Sequence, residues 1–102
     1  MSGFDKDGYL IDLRRWTPDL AHKLAAQHAL ELTDQHWEVI HLVRRFHADT
    51  DVVPAMRPLV TLVKQELGIE KGNSLYLHRL FPDSPAKLVA KIAGLPKPTN
   101  CL

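Results

Sequence analysis

The sequence predicts a mainly α-helical single domain of about five helices, with a short β-hairpin before them and an extended arm after them. Apolar residues recur at helical spacing in several segments. Most of these segments open with a capping Ser, Thr or Asn, and several close at a glycine. The chain then ends in "GLPKPTNCL", where two prolines in three residues exclude a helix. We therefore predict a helical domain at 1–94 and a flexible arm at 95–102.

The first elements follow from turn and cap signals. The Asp7-Gly8 pair suits a tight turn in which both central residues have positive φ, which predicts a hairpin at about 3–12. Thr17 and Pro18 then open the first helix, as a cap and a first helical residue. Thr33 opens the second, whose wide apolar face is typical of a central, largely buried helix.

The remaining three helices are bounded in the same way. The third ends at Gly68, a natural stop for a helix. The fourth begins at Asn73 or Ser74 and stops before a proline. The fifth begins with a Ser-Pro pair and ends at Gly94, directly before the arm.

Size, charge and cysteine content restrict the class of protein. A chain of 102 residues can bury a core without metals or disulfides. A formal net charge of +1 does not favour strong binding to nucleic acid or to a membrane. The chain has one cysteine, which is typical of a reducing compartment, and it begins without the apolar stretch of a signal peptide. We expect a cytoplasmic protein with no membrane contact.

The six histidines do not predict a metal site. A zinc site on a helix needs ligands such as two histidines four residues apart. His36 and His41 are five residues apart, and His41 and His47 are six apart. The chain also lacks Cys-x-x-Cys, His-Glu-x-x-His and a glycine-rich phosphate loop. We expect surface or half-buried histidines, with no metal and no cofactor.

One alternative function is nucleic-acid regulation. The stretch "LVTLVKQELGIEKGNSLYLHRLF" has a loose helix-turn-helix outline. Its second helix is strongly apolar and offers only His78 and Arg79 to read bases. The sequence therefore favours DNA recognition less than the thiol chemistry considered next.

Cys101 is the candidate nucleophile. It is the second-last residue, behind a Pro-Lys-Pro spacer that makes burial in the core difficult. Its position alone leaves a reactive thiol and an incidental surface thiol open. A nucleophile must be a thiolate, and an unperturbed thiol has a pKa of about 8.5. Activation would therefore come from a docking site, which fits a carrier better than a stand-alone catalyst.

A combination of motifs resembles the TusE/DsrC family of sulfur-relay proteins. "LFP", "SPAK" and "KIAGLPKPTNC" lie near the C-terminus, and "DGYLIDLRRWTPDLA", "LTDQHWEVIHLVRRFH" and "PAMRPLVTLV" precede them. The resemblance spans nearly the whole chain. It implies a mainly helical orthogonal bundle with a small N-terminal β-hairpin. It also implies that the penultimate cysteine of a mobile arm, here Cys101, carries the sulfur.

The resemblance further implies one branch of the family. Members in dissimilatory sulfur metabolism carry a second arm cysteine where this chain has Ala90. That difference points to the TusE branch, which relays persulfide sulfur to a tRNA 2-thiouridylase for 2-thiolation of the wobble uridine. The implied partners are a TusBCD-like donor complex and an MnmA-like thiouridylase. We expect a monomer that contacts tRNA indirectly or weakly. The alternative within the family is a DsrC-like partner or regulator in sulfur oxidation or sulfite reduction. Another alternative is an interaction or regulatory subunit that is anchored to its partner through a mixed disulfide at Cys101.

The other arm residues are the predicted partner-binding segment. Pro96 and Pro98 restrict the free arm and so limit the entropy lost on docking. Lys97 is a candidate for pairing with an acidic partner surface. Thr99 and Asn100 are small and polar, and fit a narrow cleft.

Overall fold

A computed structural model describes residues 3–98, and within them the chain forms five α-helices preceded by a short 3₁₀ turn at Leu13–Arg15. None of the helices in this range is long and apolar enough to cross a membrane. The mainly helical fold and the order of the five helices agree with the prediction. The helices are α1 Pro18–Ala26, α2 Asp34–Thr50, α3 Met56–Leu67, α4 Ser74–Leu80 and α5 Pro85–Ile92.

The predicted caps open the first and fourth helices. Thr17 Oγ1 accepts the N–H of Leu20 at 3.1 Å at the start of α1. The Asn73 side chain accepts the N–H of Tyr76 at 2.8 Å at the start of α4. Each bond satisfies one of the donors that a helix leaves unpaired in its first turn. The local sequence signals therefore determine where these helices begin.

His36 fastens the start of α2 to the end of α4. Its Nδ1 accepts the backbone N–H of Thr33 at 3.0 Å, so the neutral ring carries its proton on Nε2. That Nε2–H donates to the carbonyl of Leu80 at 2.8 Å. The ring is buried, at 6% exposure, which differs from the surface or half-buried histidine that we predicted. Because both ring nitrogens are bonded, the side chain can be buried at little cost.

The central helix is α5 rather than α2. It packs against each of the other four helices in the described part of the chain. Five of its eight residues are buried: Pro85, Ala86, Val89, Ala90 and Ile92. The small side chains among them let neighbouring helices approach closely. The wide apolar face of α2 predicted the central position for the wrong helix, because the width of an apolar face does not show which helices will pack around it.

The predicted N-terminal β-hairpin is wrong. Residues 3–12 contain no strand, and the only β pairing in them is an isolated antiparallel bridge between Phe4 and Leu10. Two backbone bonds flank this bridge: the Asp5 N–H donates to the Tyr9 carbonyl and the Ile11 N–H to the Gly3 carbonyl, each at 2.8 Å. The pairing goes no further, because Asp5 Oδ1 accepts the N–H groups of Asp7 and Tyr9, each at 2.9 Å. Side chains of this type compete with backbone pairing for the same donors.

The turn itself also differs from the predicted one. Gly8 has a φ of +88°, but Asp7 is not among the residues with positive φ. Both central residues of the expected turn would need that conformation. The segment is therefore a loop closed by Asp5, and it is held on α5 through Tyr9. The Tyr9 hydroxyl donates to the carbonyl of Lys87 at 3.2 Å.

Candidate functional site

The root of the arm is the turn that ends α5. Gly94 has a φ of +75°, the left-handed conformation that favours glycine. The N–H of Leu95 donates to the carbonyl of Ala90 at 2.9 Å, and the N–H of Gly94 donates to the carbonyl of Lys91 at 3.2 Å. This pair of bonds is the Schellman arrangement, which satisfies carbonyls at the end of a helix. Gly94 therefore stops α5 as predicted and turns the chain toward the arm.

Two side chains from distant parts of the chain hold the last carbonyls of α5. Trp16 Nε1–H donates to the carbonyl of Ile92 at 2.9 Å. Arg44 donates from Nη1 to the carbonyl of Ala93 at 2.7 Å. The Arg44 guanidinium also lies over the Trp16 ring, 3.8 Å from its centroid. A cation at the C-terminus of a helix is favourable because the free carbonyls there carry partial negative charge.

The position of Arg44 has an electrostatic cost. Burial lowers the pKa of the Arg44 guanidinium below its ordinary value, because the charged form loses contact with water. An arginine nevertheless stays protonated in a protein. The hydrogen bond to Ala93 and the contact with Trp16 compensate the lost hydration. The root of the arm is thus built around a permanent positive charge.

The residues after Gly94 differ sharply in their contacts. Leu95 is buried in the core, at 1% exposure. Pro96 and Lys97 are exposed, and Lys97 Nζ lies 3.6 Å from an Asp7 carboxylate oxygen. Pro98 is buried again. Of the predicted arm residues, the structure thus brings Lys97 and Pro98 against the bundle and leaves Pro96 at the surface.

Two cavities flank this stretch of the arm. The larger, of about 340 Å³, lies between the N-terminal loop and α5, and its lining includes Tyr9, Lys87, Lys91 and Lys97. The smaller, of about 140 Å³, is lined in part by Met56, His78 and Pro98. Asp7 and Asp83 also line the first cavity, so its three lysines are partly balanced by two carboxylates.

The predicted Cys101, Thr99 and Asn100 lie outside the described residues. Their roles stay predictions, as does the division into a domain at 1–94 and an arm at 95–102. Position 90, where a second arm cysteine would stand, is occupied by Ala90, which is buried at 1% exposure. Within residues 3–98 no group of three or more His, Cys, Asp or Glu residues could hold a metal ion.

The helix-turn-helix outline corresponds to α3, the turn after Gly68 and α4. Helix α4 has only seven residues, and Leu77 and Leu80 face the core. His78 is occupied locally, with Nδ1 2.8 Å from the Ser74 carbonyl oxygen. This arrangement leaves little of α4 to read bases and does not favour DNA recognition.

Sequence reasoning missed Trp16 and Arg44. Both hold α5 through contacts between residues that are 76 and 49 positions apart. The sequence contains no local pattern that would reveal such a contact. Arg44 falls in a loose group of basic residues that look solvated, and Trp16 directly precedes a cap.

These features define a class: a small helical bundle that anchors the root of a C-terminal arm whose second-last residue is the only cysteine. The sequence profile of the family described as "DsrC like protein" matches residues 2–102. The chain belongs to this family, which confirms the resemblance seen in its motifs.

Individual relatives agree with that assignment. The chain is 51% identical to "Sulfurtransferase TusE homolog" of Haemophilus influenzae, covering 96% of this chain and 90% of that protein. It is 49% identical to "Sulfurtransferase TusE" of Salmonella choleraesuis with the same coverage. Among solved structures, it is similar to the NMR structure of Allochromatium vinosum DsrC, with a TM-score of 0.89, 46% identity and coverage of 97% and 88% of the two chains.

Proposed function

We propose that this protein is a sulfur carrier that accepts persulfide sulfur on Cys101 and relays it to a tRNA 2-thiouridylase for wobble uridine 2-thiolation. The observation that carries the proposal is the anchored root, in which Leu95 is buried six residues before the only cysteine. A fixed origin followed by a short tether gives the thiol a defined reach. Six residues span at most about 20 Å when fully extended. The relatives named sulfurtransferase support the same reading.

The transfer step is a thiol–persulfide exchange. The Cys101 thiolate attacks the outer sulfur of a donor persulfide, R–S–SH. A new S–S bond forms to give Cys101–S–SH, the donor S–S bond breaks, and its electron pair leaves as R–S⁻. The proton stays on the transferred sulfur and no external oxidant is consumed. Such exchange depends on the thiolate fraction and on access to the thiol.

Position 90 favours a one-cysteine relay. Because the chain has a single cysteine and Ala90 fills the other position, two arm cysteines cannot form an intramolecular disulfide. Sulfur taken up by Cys101 must leave to another molecule. The alternative within the family is a DsrC-like partner in sulfite reduction. It is represented by the γ-subunit of the dissimilatory sulfite reductase of Archaeoglobus fulgidus, which has the same fold with a TM-score of 0.82 and 38% identity.

The partners in this proposal are a TusBCD-like donor and an MnmA-like thiouridylase in the cytoplasm. Three lysines against two carboxylates, Asp7 and Asp83, leave a small positive excess beside the arm, which supports an acidic docking surface on at least one of them. Lys87, Lys91 and Lys97 line the same cavity beside the arm. Because the thiol ordinarily has a pKa of about 8.5, the donor site would supply the positive charge that favours the thiolate.

Intact-mass measurement tests the carrier role. We expect the protein to gain the mass of one sulfur atom after incubation with a persulfide donor and to lose it on addition of a thiol. Cys101→Ser should gain none, and Ala90→Ser serves as a matched control that should load normally. Equal loading of Cys101→Ser would refute the proposal.

A genetic experiment tests the destination of the sulfur. A deletion strain should contain tRNA that lacks the thiolated wobble uridine. The wild-type gene should restore the modification and Cys101→Ser should not. Normally thiolated tRNA in the deletion strain would exclude this destination and favour the alternative within the family.

A further inference from the structure

Aromatic rings form a connected group on the outer side of α1 and α2. Trp37 contacts three other rings: the His41 ring stacks on it at 5.4 Å, with 28° between the planes. His22 meets it edge-on at 5.3 Å, and Trp16 does so at 6.4 Å. With Arg44, which covers Trp16, these residues define what we call the aromatic surface: Trp16, His22, Trp37, His41 and Arg44.

The outer members of the aromatic surface are open to solvent. His22 and His41 are exposed, whereas Trp16, Trp37 and Arg44 are partly buried. The stack of Trp37 and His41 therefore ends in water, whereas the stack of Trp16 and the Arg44 guanidinium is partly covered. A flat ligand can extend the stack at His41 and contact the part of Arg44 that is not covered, because imidazole rings and guanidinium planes both accept a ring face.

The chemistry of this surface favours nucleobases over an apolar protein segment. Its exposed members are imidazoles, and its partly buried members are indoles and a guanidinium rather than aliphatic side chains. Arg15 and Arg45 are exposed near it, one directly before Trp16 and the other one helical turn after His41. Asp19 and Asp34, also exposed and one turn before His22 and Trp37, offset part of this positive charge. Arg45 Nη2 lies 3.9 Å from Glu66 Oε1 in an exposed ion pair, which a phosphate can replace at little cost. Aromatic platforms bordered by cations are typical of proteins that bind single-stranded nucleic acid.

We propose that the aromatic surface binds single-stranded RNA by stacking unpaired bases on His41, Trp37 and the Arg44–Trp16 pair. The choice of RNA rests on the proposed role in wobble uridine thiolation, whose substrate lies in the unpaired anticodon loop of a tRNA. Stacking needs no particular base sequence, because every base has a π-face. An anticodon stem-loop RNA of any sequence is therefore enough to test this binding.

The location of the aromatic surface supports this partner. Trp16 donates to the carbonyl of Ile92, and Arg44 donates to the carbonyl of Ala93, so two of its members are also the anchors of the arm. Bases stacked there lie beside the root from which Cys101 is tethered. RNA and carried sulfur would then reach the thiouridylase on the same side of the bundle.

Intrinsic fluorescence can test this binding without a label. The chain has two tryptophans, and both belong to the aromatic surface. Titration with an unmodified anticodon stem-loop RNA should quench their emission to saturation. A perfectly paired RNA duplex of equal length should quench much less, because its bases are already stacked. The affinity should also fall as the salt concentration rises.

Histidine variants provide matched test and control proteins. The pair His22→Ala and His41→Ala, combined in one protein, should weaken loop binding by about fivefold or more. The control combines His28→Ala with His78→Ala, two exposed histidines away from the surface, and should stay within about twofold of the wild type. Affinities are compared rather than quenching amplitudes, because removing the histidines alters the tryptophan environment directly.

The results that would refute RNA binding at the aromatic surface differ from those that would refute the carrier role. Equal affinity for loop and duplex, or equal weakening in both double variants, would refute base stacking. Quenching by the thiouridylase without RNA, lost in the test variant while RNA has no effect, would instead make this a protein interface. Sulfur loading is measured separately: if Cys101 takes up no sulfur but loop RNA still binds, the carrier role fails and the RNA surface stands.

Discussion

The root of the arm and the three residues that follow it are adjacent in the chain but held in very different ways. At the root, the carbonyls of Ile92 and Ala93 accept bonds from Trp16 and Arg44, and Leu95 is buried at 1% exposure. In 96–98, one ion pair joins Lys97 to Asp7, with the two side chains 43% and 44% exposed, and Pro98 is buried. The bundle therefore fixes the origin of the arm through buried hydrogen bonds, whereas an exposed ion pair and the packing of Pro98 hold the next residues.

This difference matters for a relay. A tether delivers its end to a partner at an effective concentration that depends on its length and on where it starts. The strong contacts at the root set the start, and the weak pair at Lys97 can be exchanged for a partner's carboxylate at little cost. The boundary between the two regions falls after Leu95, one residue beyond the glycine that ends α5.

Substitutions on the two sides of this boundary should show the largest difference in the free energy of unfolding. Leu95→Ala leaves a cavity in a packed core and should lower the free energy of unfolding by about 3 kcal/mol. Pro96→Ala, one residue later, should cost less than about 1 kcal/mol, mainly through the greater freedom of the unfolded chain. Denaturant unfolding followed by tryptophan fluorescence measures both. Similar losses in the two variants would contradict a boundary after Leu95.

Gly94→Ala tests the closeness of the root to Trp16. An added Cβ would lie 2.5 Å from Trp16 Cδ1, and the residue would keep a positive φ. We expect a loss of about 2 kcal/mol from strain and displacement of the ring. Gly68→Ala is the matched control, since φ there is +103° but nothing lies within 4 Å of the added carbon.

The two glycine variants differ in a second measurement. Gly94→Ala should change the near-ultraviolet circular dichroism of the folded protein, because Trp16 must move. Gly68→Ala should lose about 1 kcal/mol through backbone strain alone and leave the aromatic spectrum unchanged. An unchanged spectrum in Gly94→Ala would mean that Trp16 does not pack on the root.

The parts of the fold that could be predicted from sequence depend on local signals. Thr17, Asn73 and Gly94 act within one turn of their own helix, so their residue types specify the cap or the stop. The spacing of apolar residues predicts the helices between them for the same reason. The cysteine on its proline-rich tail was also visible, because it depends on position in the chain alone.

The predictions that failed depend on competing hydrogen bonds or on contacts between residues that are far apart in the chain. The Asp7-Gly8 pair predicted a hairpin, but the pairing stops at one bridge, because the Asp5 carboxylate accepts the Tyr9 N–H that the next pair of a strand ladder would use. The central position went to α5, because burial depends on which helices meet in space. The anchors Trp16 and Arg44 act on carbonyls at the other end of the chain, and no local pattern encodes such a contact.

Arg44→Met tests the charged anchor. The change keeps most of the packing but removes the donor to the buried Ala93 carbonyl and the cation over Trp16. We expect a loss of about 1.5 kcal/mol, since a buried carbonyl without a partner is costly. Arg45→Met, on the exposed side of the same helix, should change stability by less than about 0.5 kcal/mol. If both variants unfold alike, Arg44 contributes no more to the root than a surface residue.

The smallest effect should come from the ion pair between Lys97 and Asp7. Its atoms are 3.6 Å apart and both side chains are nearly half exposed, so water and salt screen the attraction. A double-mutant cycle with Lys97→Ala and Asp7→Ala should give a coupling energy below about 0.5 kcal/mol, vanishing at high salt. Lys97→Ala should nevertheless slow sulfur transfer to the acceptor if Lys97 pairs with a partner carboxylate during docking. A coupling energy above about 1 kcal/mol would show instead that the bundle itself holds this part of the arm, and release of the arm would then become a step that the partner has to drive.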